Sequence, residues 1–201
     1  MVKLVDFKPL MAGEPDYPRF GIIADDKIVE MGESAKGILT RYIQRGASNS
    51  EYVKRLPYLI AHGAVGLLIN GHERRFLSVK DVQFTAPLIN PTSLRDFYAF
   101  EEHIATASAN RGREVPKEWY QFPVFYFSNT SSIYGPDDTI PYPSYSDALD
   151  YKLEVACVIG KAGRDIPADK AEDYIFGYMI FNDWSARDVQ QKRNARRPRP
   201  R

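Results

Sequence analysis

Hydrophobic and polar residues alternate near the start of the chain, which is the pattern of strands with one buried face. Val2, Leu4 and Phe7 precede a turn rich in proline and glycine, and residues 20–23 and 27–30 continue the pattern. Alternation with a period of two places every second side chain on the same face of a sheet. The sequence therefore predicts a small antiparallel unit at the start of the chain.

A helical pattern follows this unit. Apolar residues recur at helical spacing between residue 37 and about residue 68, and residues 77–84 return to a strand-like pattern. Pro87 and Pro91 then interrupt the chain, and closely spaced prolines are typical of a linker. We predict a small N-terminal α+β domain over residues 1–88.

Short strands and helical segments are predicted in the rest of the chain. Residues 96–108 place apolar side chains on one face of a helix, and residues 168–174 fit a helical turn. The other predicted elements are a turn at residues 135–138 and strands at residues 122–126, 151–159 and 178–183. Residues 155–159 are all apolar, which predicts a strand buried on both faces near its end, with Cys157 in the core.

The composition is that of a globular protein. Of the 201 residues, 44% are hydrophobic and 26% are charged, and this length suffices to bury a core. No apolar run approaches the ~20 residues that cross a bilayer, and the first residues lack the layout of a secretory signal peptide. With Cys157 as the single cysteine, neither an internal disulfide nor a cysteine-rich zinc site is expected. We predict a soluble, cytoplasmic protein with no membrane partner.

The net charge of +1 conceals an acidic body with a basic end. Six of the 27 Lys and Arg residues follow Gln190, which leaves 21 cations against 26 Asp and Glu in residues 1–190. A basic end can bind nucleic acid through its charge, but alternating Pro and Arg disfavours both helix and strand. We predict that residues 191–201 form a solvated, disordered tail and that nucleic acid is not a partner.

Motifs for nucleotide binding and nucleophilic catalysis are missing. The sequence has no P-loop and no dinucleotide-binding glycine pattern. His62 and His72 lie next to glycines in turn-like contexts, without a carboxylate pattern nearby, and are interpreted as surface residues.

Three carboxylates fall in settings where a charge is costly to bury. Asp96 stands where an N-cap would, Glu154 lies within an apolar strand, and Asp183 ends another strand. Such groups pair with a cation or bind one, so each is either a structural pair or a ligand. Three hard oxygen donors suit Mg²⁺, Ca²⁺ or Mn²⁺ better than zinc. His103 follows Asp96 by two predicted helical turns, so it is either a general base beside a metal-bound substrate or an ordinary surface histidine.

Three segments carry a resemblance to a known family. Residues 95–103, 150–161 and 177–190, the last containing the string NDWSARDVQ, resemble the fumarylacetoacetate hydrolase family. The resemblance covers about residues 85–190. It implies an α+β, mostly β fold, in which an incomplete mixed β roll or sandwich over residues 89–190 follows the N-terminal domain.

The resemblance also implies a function. It implies a homodimeric, divalent-metal-dependent hydrolase that cleaves a C–C bond in a 1,3-dicarbonyl 2-oxo acid, as in aromatic amino acid catabolism. Motif matching places Asp96, Glu154 and Asp183 at metal-ligand positions. It places His103 and Arg111 at catalytic positions, and Tyr98 and Gln190 at substrate-contact positions. Within the catalytic pair, His103 matches a histidine that activates water and Arg111 an arginine that supports it.

The implied reaction is a hydrolysis. A metal ion (Mg²⁺, Ca²⁺ or Mn²⁺) polarises two carbonyl oxygens, His103 removes a proton from the attacking water, and the departing carbanion is held as an enolate. Two alternatives stay open. One is a decarboxylase or isomerase of 2-oxo acids on the same scaffold, and the other is an inactive, truncated remnant that acts as a non-catalytic binder.

The sequence departs from the family at two places. The family strand carries Glu-x-Glu, and here Lys152 holds the first position, on the same face as Glu154. Three outcomes are then open for this position. The Lys152 side chain turns to solvent, its charge weakens the affinity for metal, or the site works without metal. The second departure is the end of the chain, which reads as a truncation soon after NDWSARDVQ. We expect a chain that is poorly stable or inactive by itself.

Overall fold

The computed structural model describes residues 3–14, 16–33, 75–88 and 91–195. The helical segment predicted between residues 37 and 68 lies outside these ranges, and so do His62 and His72. Within the described residues the chain is mostly strand with few helices, which confirms the predicted fold class.

The chain divides into two compact units. Unit 1 comprises Met1–Pro87 together with Gly135–Arg201, and unit 2 comprises Leu88–Tyr134. Unit 1 thus contains residues from both ends of the sequence. The domain boundaries predicted at residues 88 and 190 stay predictions.

Unit 1 begins with a sheet formed by the alternating segments at the start of the chain. Its strands among the described residues are β1 (Lys3–Pro9), β2 (Arg19–Ala24), β3 (Lys27–Glu33), β4 (Phe76–Ser78) and β5 (Val82–Thr85). They pair antiparallel in the order β4-β3-β2-β1-β5. The small antiparallel unit predicted from alternation is confirmed.

The core of this sheet is a cluster of apolar side chains from four strands. Phe7 and Ile28 are fully buried in it and are joined by Leu77 and Val82. Burying a side chain of this size contributes about 1.5–3 kcal/mol. Gly21 lies against the cluster, and a Cβ there would stand 2.5 Å from Ile28 Cγ2 and 2.9 Å from Phe7 Cε1. Any side chain at position 21 would therefore displace the core.

The described part of unit 2 contains one strand pair and one α-helix. β6 (Arg95–Phe97) pairs antiparallel with β7 (Phe125–Phe127), and α1 spans Glu101–Ala109. A 3₁₀ helix at Lys117–Tyr120 lies between α1 and β7. The strand predicted at residues 122–126 is present, with later bounds.

The helix predicted at residues 96–108 begins later than expected. Asp96 lies in β6, so the predictions that it caps a helix and that it shares a helix face with His103 are wrong. The strand pair brings the rings of Phe97 and Phe125 within 5.1 Å, and such aromatic pairs add about 0.5–1.5 kcal/mol. Cross-strand contact therefore prevails over helical spacing here. The predicted apolar face is only partly buried, because Ile104 is buried but Phe100 is 79% exposed.

Two further strand pairs of unit 1 lie within residues 149–186. β8 (Leu149–Asp150) pairs with β11 (Ser185–Ala186), and β9 (Leu153–Ile159) pairs with β10 (Ile175–Asn182), both antiparallel. A 3₁₀ helix at Ala168–Tyr174 precedes β10. The structure confirms the strands predicted at residues 151–159 and 178–183, which correspond to β9 and β10 with shifted bounds. The helical turn predicted before the second strand is present as the 3₁₀ helix.

A short helix ends the described chain. α2 spans Arg187–Ala195, so residues 191–195 are helical where the sequence predicted a disordered tail. Proline first occurs at Pro198 in this segment, which leaves the preceding residues free to form helical hydrogen bonds. In the part of the chain that the structure describes, no helix is long and apolar enough to cross a membrane.

One face of β9 is exposed, contrary to the prediction of a strand buried on both faces. Leu153 and Val155 are 73% and 78% exposed, and Cys157 is exposed rather than in the core. Exposure alternates along the strand because successive side chains point to opposite faces, and no described element covers the face that carries Leu153 and Val155. A wholly apolar run predicted burial, but burial requires a packing partner on each face.

Asp6 is a carboxylate within the core of the first sheet. It is 2% exposed, and its Oδ2 has no hydrogen-bond partner within the described ranges. It lies opposite Thr85 in the pairing of β1 with β5. Burial disfavours the charged form and raises the pKa of Asp6 to about 7.

This burial predicts that stability falls as the pH rises from 4 to 7. In this interval Asp6 keeps its proton in the folded state and releases it in the unfolded state. A rise in pH therefore stabilises the unfolded state relative to the folded state. The pKa change from 3.8 to about 7 corresponds to a loss of about 4 kcal/mol. Urea denaturation at several pH values measures this slope. Asp6→Asn should flatten it, whereas Asp26→Asn, an exposed control, should keep it. An unchanged slope in Asp6→Asn would contradict the assignment.

The exposed face of β9 and β10 predicts tolerance of polar substitutions. Val155→Thr and Ile180→Thr alter side chains that are 78% and 82% exposed and should change the free energy of unfolding by about 0.5 kcal/mol or less. Ile28→Ala, in the buried cluster, should cost about 2–5 kcal/mol. Denaturant midpoints compare the three variants. Equal losses at Val155 and Ile28 would mean that the β9 face is covered in solution.

Candidate functional site

Lys152 lies between two carboxylates of unit 1. Its Nζ is 2.6 Å from Asp183 Oδ2 and 3.4 Å from Glu154 Oε1. The Lys152, Asp183 and Glu154 side chains are 19%, 15% and 34% exposed, respectively. Of the three outcomes predicted for Lys152, a turn towards solvent is therefore wrong.

Strand pairing brings these three side chains together. Lys152 and Glu154 are two residues apart and share one face of the extended chain. Asn182 pairs with Leu153, so Asp183 leaves β10 beside Lys152. The Asp183 N–H donates to the Lys152 carbonyl at 3.0 Å, and the Lys152 N–H donates to Asn182 Oδ1 at 3.1 Å. The backbone of Lys152 is thereby tied to the end of β10.

These contacts bear on whether a divalent cation fits at this pair of carboxylates. The ammonium of Lys152 already offsets one of their two negative charges. A divalent ion about 4 Å from an ammonium is repelled by about 8 kcal/mol at an effective dielectric constant of 20. Glu154 and Asp183 therefore fit the ammonium as they stand, and they do not fit a divalent ion while the ammonium stays between them.

Asp96 lies in β6 of unit 2, half-buried and opposite Tyr126 in β7. The Tyr126 hydroxyl donates to Asp96 Oδ2 at 2.6 Å. A hydrogen bond this short to a carboxylate is charge-assisted and stronger than one between neutral groups. It orients the Asp96 carboxylate. The sequence analysis did not find Tyr126, because its position opposite Asp96 depends on the register of the two strands.

His103 and Tyr98 pack against each other in unit 2. Their ring centroids are 4.9 Å apart and the rings are nearly perpendicular. The Tyr98 N–H donates to the Val124 carbonyl at 2.9 Å, and the Tyr98 carbonyl accepts from Trp119 Nε1 at 2.7 Å. His103 is exposed near the start of α1. An imidazole that contacts a fixed ring and reaches water has the accessibility that a general base needs.

An open cavity of about 360 Å³ in unit 2 has Tyr98 in its wall, beside Phe97 and Trp119. This volume lies in the usual range of small-molecule sites. Tyr120 also lines the cavity and donates its hydroxyl to Glu101 Oε1 at 2.7 Å. This hydrogen bond raises the pKa of Tyr120, so the phenol stays protonated. The cavity wall is aromatic with a few polar groups.

Arg111 and Gln190 are both exposed. Arg111 follows α1, and its N–H donates to the Ser108 carbonyl at 2.9 Å. Gln190 lies in α2, where its Oε1 accepts from Arg187 Nη1 at 3.3 Å. Arg187 Nε also donates to Asp150 Oδ2 at 2.8 Å, which links α2 to β8. The catalytic role of Arg111 and the substrate contact of Gln190 stay predictions.

The predicted set of three metal ligands is divided between the units. Asp96 belongs to unit 2, whereas Glu154 and Asp183 belong to unit 1. Within the described ranges, no three His, Cys, Asp or Glu side chains are grouped to hold a metal ion. The joint coordination of a cation by these three carboxylates stays a prediction.

Asp188 is a further carboxylate that the sequence analysis did not single out. Its Oδ1 accepts from the Ser146 hydroxyl at 2.6 Å, and this hydrogen bond lowers the pKa of Asp188. Next to it, the Arg187 N–H donates to the Ala148 carbonyl at 2.8 Å. Both contacts fix the start of α2. An acid in the first turn of a helix is a usable sequence signal, because the helix dipole favours an anion there.

Relatives of known sequence share parts of this chain. Residues 92–199, more than half of it, match the family described as fumarylacetoacetate (FAA) hydrolase C-terminal. An oxaloacetate tautomerase of Xenopus laevis is 33% identical over 123 residues, which are 61% of this chain and 36% of that protein. A fumarylacetoacetase of Oryza sativa subsp. japonica is 36% identical over 115 residues, which are 47% of this chain and 27% of that protein. The matched segments thus cover well under half the length of these relatives.

A solved structure shares the fold. Maleylpyruvate hydrolase from Sphingobium sp. SYK-6, in complex with manganese(II) ion and pyruvate, aligns with 93% of this chain and 60% of its own, with a TM-score of 0.57. At 18% sequence identity, this likeness concerns the fold alone. The sequence match over residues 92–199 goes further, and it shows that this chain belongs to the fumarylacetoacetate hydrolase family.

Proposed function

We propose that this protein is an enzyme that hydrolyses a C–C bond in a 1,3-dicarbonyl acid, either a 2-oxo acid such as an acylpyruvate or a compound like fumarylacetoacetate. Membership of the family supports a reaction of this general kind. One relative is named a fumarylacetoacetase, and a structure with the same fold is that of a maleylpyruvate hydrolase. Both names describe the hydrolysis of a 2-oxo acid or 1,3-dicarbonyl compound.

The observation that carries the proposal is the contact between His103 and Tyr98. The exposed imidazole lies 4.9 Å from a tyrosine ring, centroid to centroid, and that tyrosine lines a cavity. A base next to a binding surface can take a proton from water at the bound molecule. Tyr98 would hold the substrate, and His103 would act on the water that attacks it.

With an acylpyruvate as the substrate, the proposed steps balance without a redox partner. His103 accepts a proton from water, and the hydroxide adds to the carbonyl carbon next to the bond that breaks. That C–C bond then cleaves, and its electron pair leaves with the 2-oxo acid as an enolate. The protonated His103 returns the proton to the enolate carbon, which yields a carboxylic acid and a 2-oxo acid. Positive charge near the enolate oxygen lowers the barrier.

A bound divalent cation would supply such a positive charge. Manganese(II) in the maleylpyruvate hydrolase supports a divalent cation in proteins of this fold. In this chain, the Lys152 ammonium lies between the two unit 1 carboxylates that were predicted to hold such an ion. The steps assigned to His103 therefore use no metal ion.

An isomerase of 2-oxo acids is a second candidate, favoured by the oxaloacetate tautomerase among the relatives. The same base would then move a proton between carbon and oxygen without an attacking water. The proposal includes a homodimer that is located in the cytoplasm.

Product analysis tests the proposed function. The 201-residue chain is incubated with an acylpyruvate, and mass spectrometry follows the products. Hydrolysis yields fragments whose summed mass exceeds the substrate by one water, and such turnover would overturn the expectation that this chain is inactive by itself. An unchanged mass with altered enol absorbance would favour the isomerase, and loss of CO₂ a decarboxylase. No conversion by the folded chain would contradict an enzyme and favour the non-catalytic binder.

Substitution of His103 tests its role as the base. His103→Asn removes the proton acceptor and should lower kcat by about 10²–10⁴-fold. Glu102→Gln, at the neighbouring exposed position of α1, is the matched control and should keep kcat within about twofold. Circular dichroism checks that both variants fold. Full turnover in His103→Asn would exclude this histidine as the base.

Substitution of Tyr98 separates its two proposed roles. Tyr98→Phe keeps the ring beside His103 and removes the hydroxyl, so KM should rise while kcat changes little. Tyr98→Ala also removes the ring that positions His103, so kcat should fall as well. Steady-state kinetics measure both parameters. Equal behaviour of the two variants would show that the ring contact is not used.

A further inference from the structure

The strongest unexplained feature of the molecule is the position of the Lys152 ammonium. Two carboxylates predicted as cation ligands, Glu154 and Asp183, converge on it at 3.4 Å and 2.6 Å. All three side chains are largely shielded from solvent, which strengthens attraction between opposite charges. The pair is therefore occupied by a cation that belongs to the chain.

The local backbone holds this arrangement in place. Lys152 exchanges hydrogen bonds with the end of β10 through both its N–H and its carbonyl, so its Cα cannot move away from Asp183 without breaking them. The side chain could leave only by rotating out of a partly buried position and exposing two like charges to each other. A lysine ammonium is a compact point charge, so it can approach carboxylate oxygens closely.

We propose that the Lys152 ammonium takes the place of a divalent cation between Glu154 and Asp183, so that this pair does not bind a divalent ion in the wild-type chain. The inference rests on the proposed function only where that function marks Glu154 and Asp183 as cation ligands. Its central claim concerns binding: removal of the ammonium should convert the pair into a divalent-cation site.

Manganese binding tests the proposal directly. The metal-free chain is titrated with Mn²⁺, and the electron paramagnetic resonance signal of free Mn²⁺ measures binding. Lys152→Met removes the charge at similar length, and Lys152→Arg keeps it. We expect Lys152→Met to bind one equivalent at least 100-fold more tightly than the wild-type chain and Lys152→Arg, neither of which should saturate at millimolar Mn²⁺.

Two controls locate the gained site. Lys170→Met removes another lysine beside a carboxylate, Asp169, at 3.9 Å on the exposed surface, and should leave Mn²⁺ binding as in the wild type. Lys152→Met combined with Glu154→Gln and Asp183→Asn should lose the gained affinity. If Lys152→Met is unstable because its carboxylates repel, millimolar Mn²⁺ should raise its Tm, and millimolar Mn²⁺ should leave the Tm of the triple variant unchanged.

Three results would overturn the proposal. The first is wild-type binding of one Mn²⁺ equivalent within tenfold of the Lys152→Met affinity, and the second is a gained site that survives the loss of both carboxylates. The third is an unstable Lys152→Met whose Tm does not change with Mn²⁺. Turnover is a separate readout: absence of catalysis in every variant would refute the proposed hydrolase and leave the binding result unaffected.

Discussion

The antiparallel pairing of β9 with β10 determines which charged groups meet in unit 1. Leu153 opposes Asn182, and this register brings Asp183 to the backbone of Lys152 and places Glu154 on the same side. A shift of one residue would turn Glu154 to the opposite face. The ion cluster therefore depends on the register that the main-chain pairing of β9 with β10 holds.

The two units present different kinds of chemistry. Unit 1 has an antiparallel sheet with an apolar core and one buried acid, Asp6, and a separate charged cluster at the end of a strand pair. Unit 2 has aromatic rings, an exposed imidazole and a carboxylate held by a tyrosine hydroxyl. Hydrogen bonds hold the Lys152 backbone at the end of β10 and the Tyr98 backbone at Val124, whereas a tyrosine hydroxyl orients Asp96.

The sequence predicted elements well where a single physical cause decides them. Alternation predicted the strands of the first sheet, and period two placed Lys152 and Glu154 on one face. It failed where a distant partner decides the outcome. Helical spacing around Asp96 was overridden by pairing with β7, and the apolar run containing Cys157 predicted burial although nothing described covers one of its faces. Tyr126 was missed because register cannot be read from one strand alone.

The identity of residue 152 has an evolutionary consequence. Lysine is encoded by AAA or AAG, and glutamate by GAA or GAG, so a change of the first base alone exchanges an ammonium for a carboxylate at this position. Because Lys152 stands directly between Glu154 and Asp183, that exchange would reverse the sign of the charge facing them. A single base change at this codon would therefore replace the ammonium between two acids with a third carboxylate.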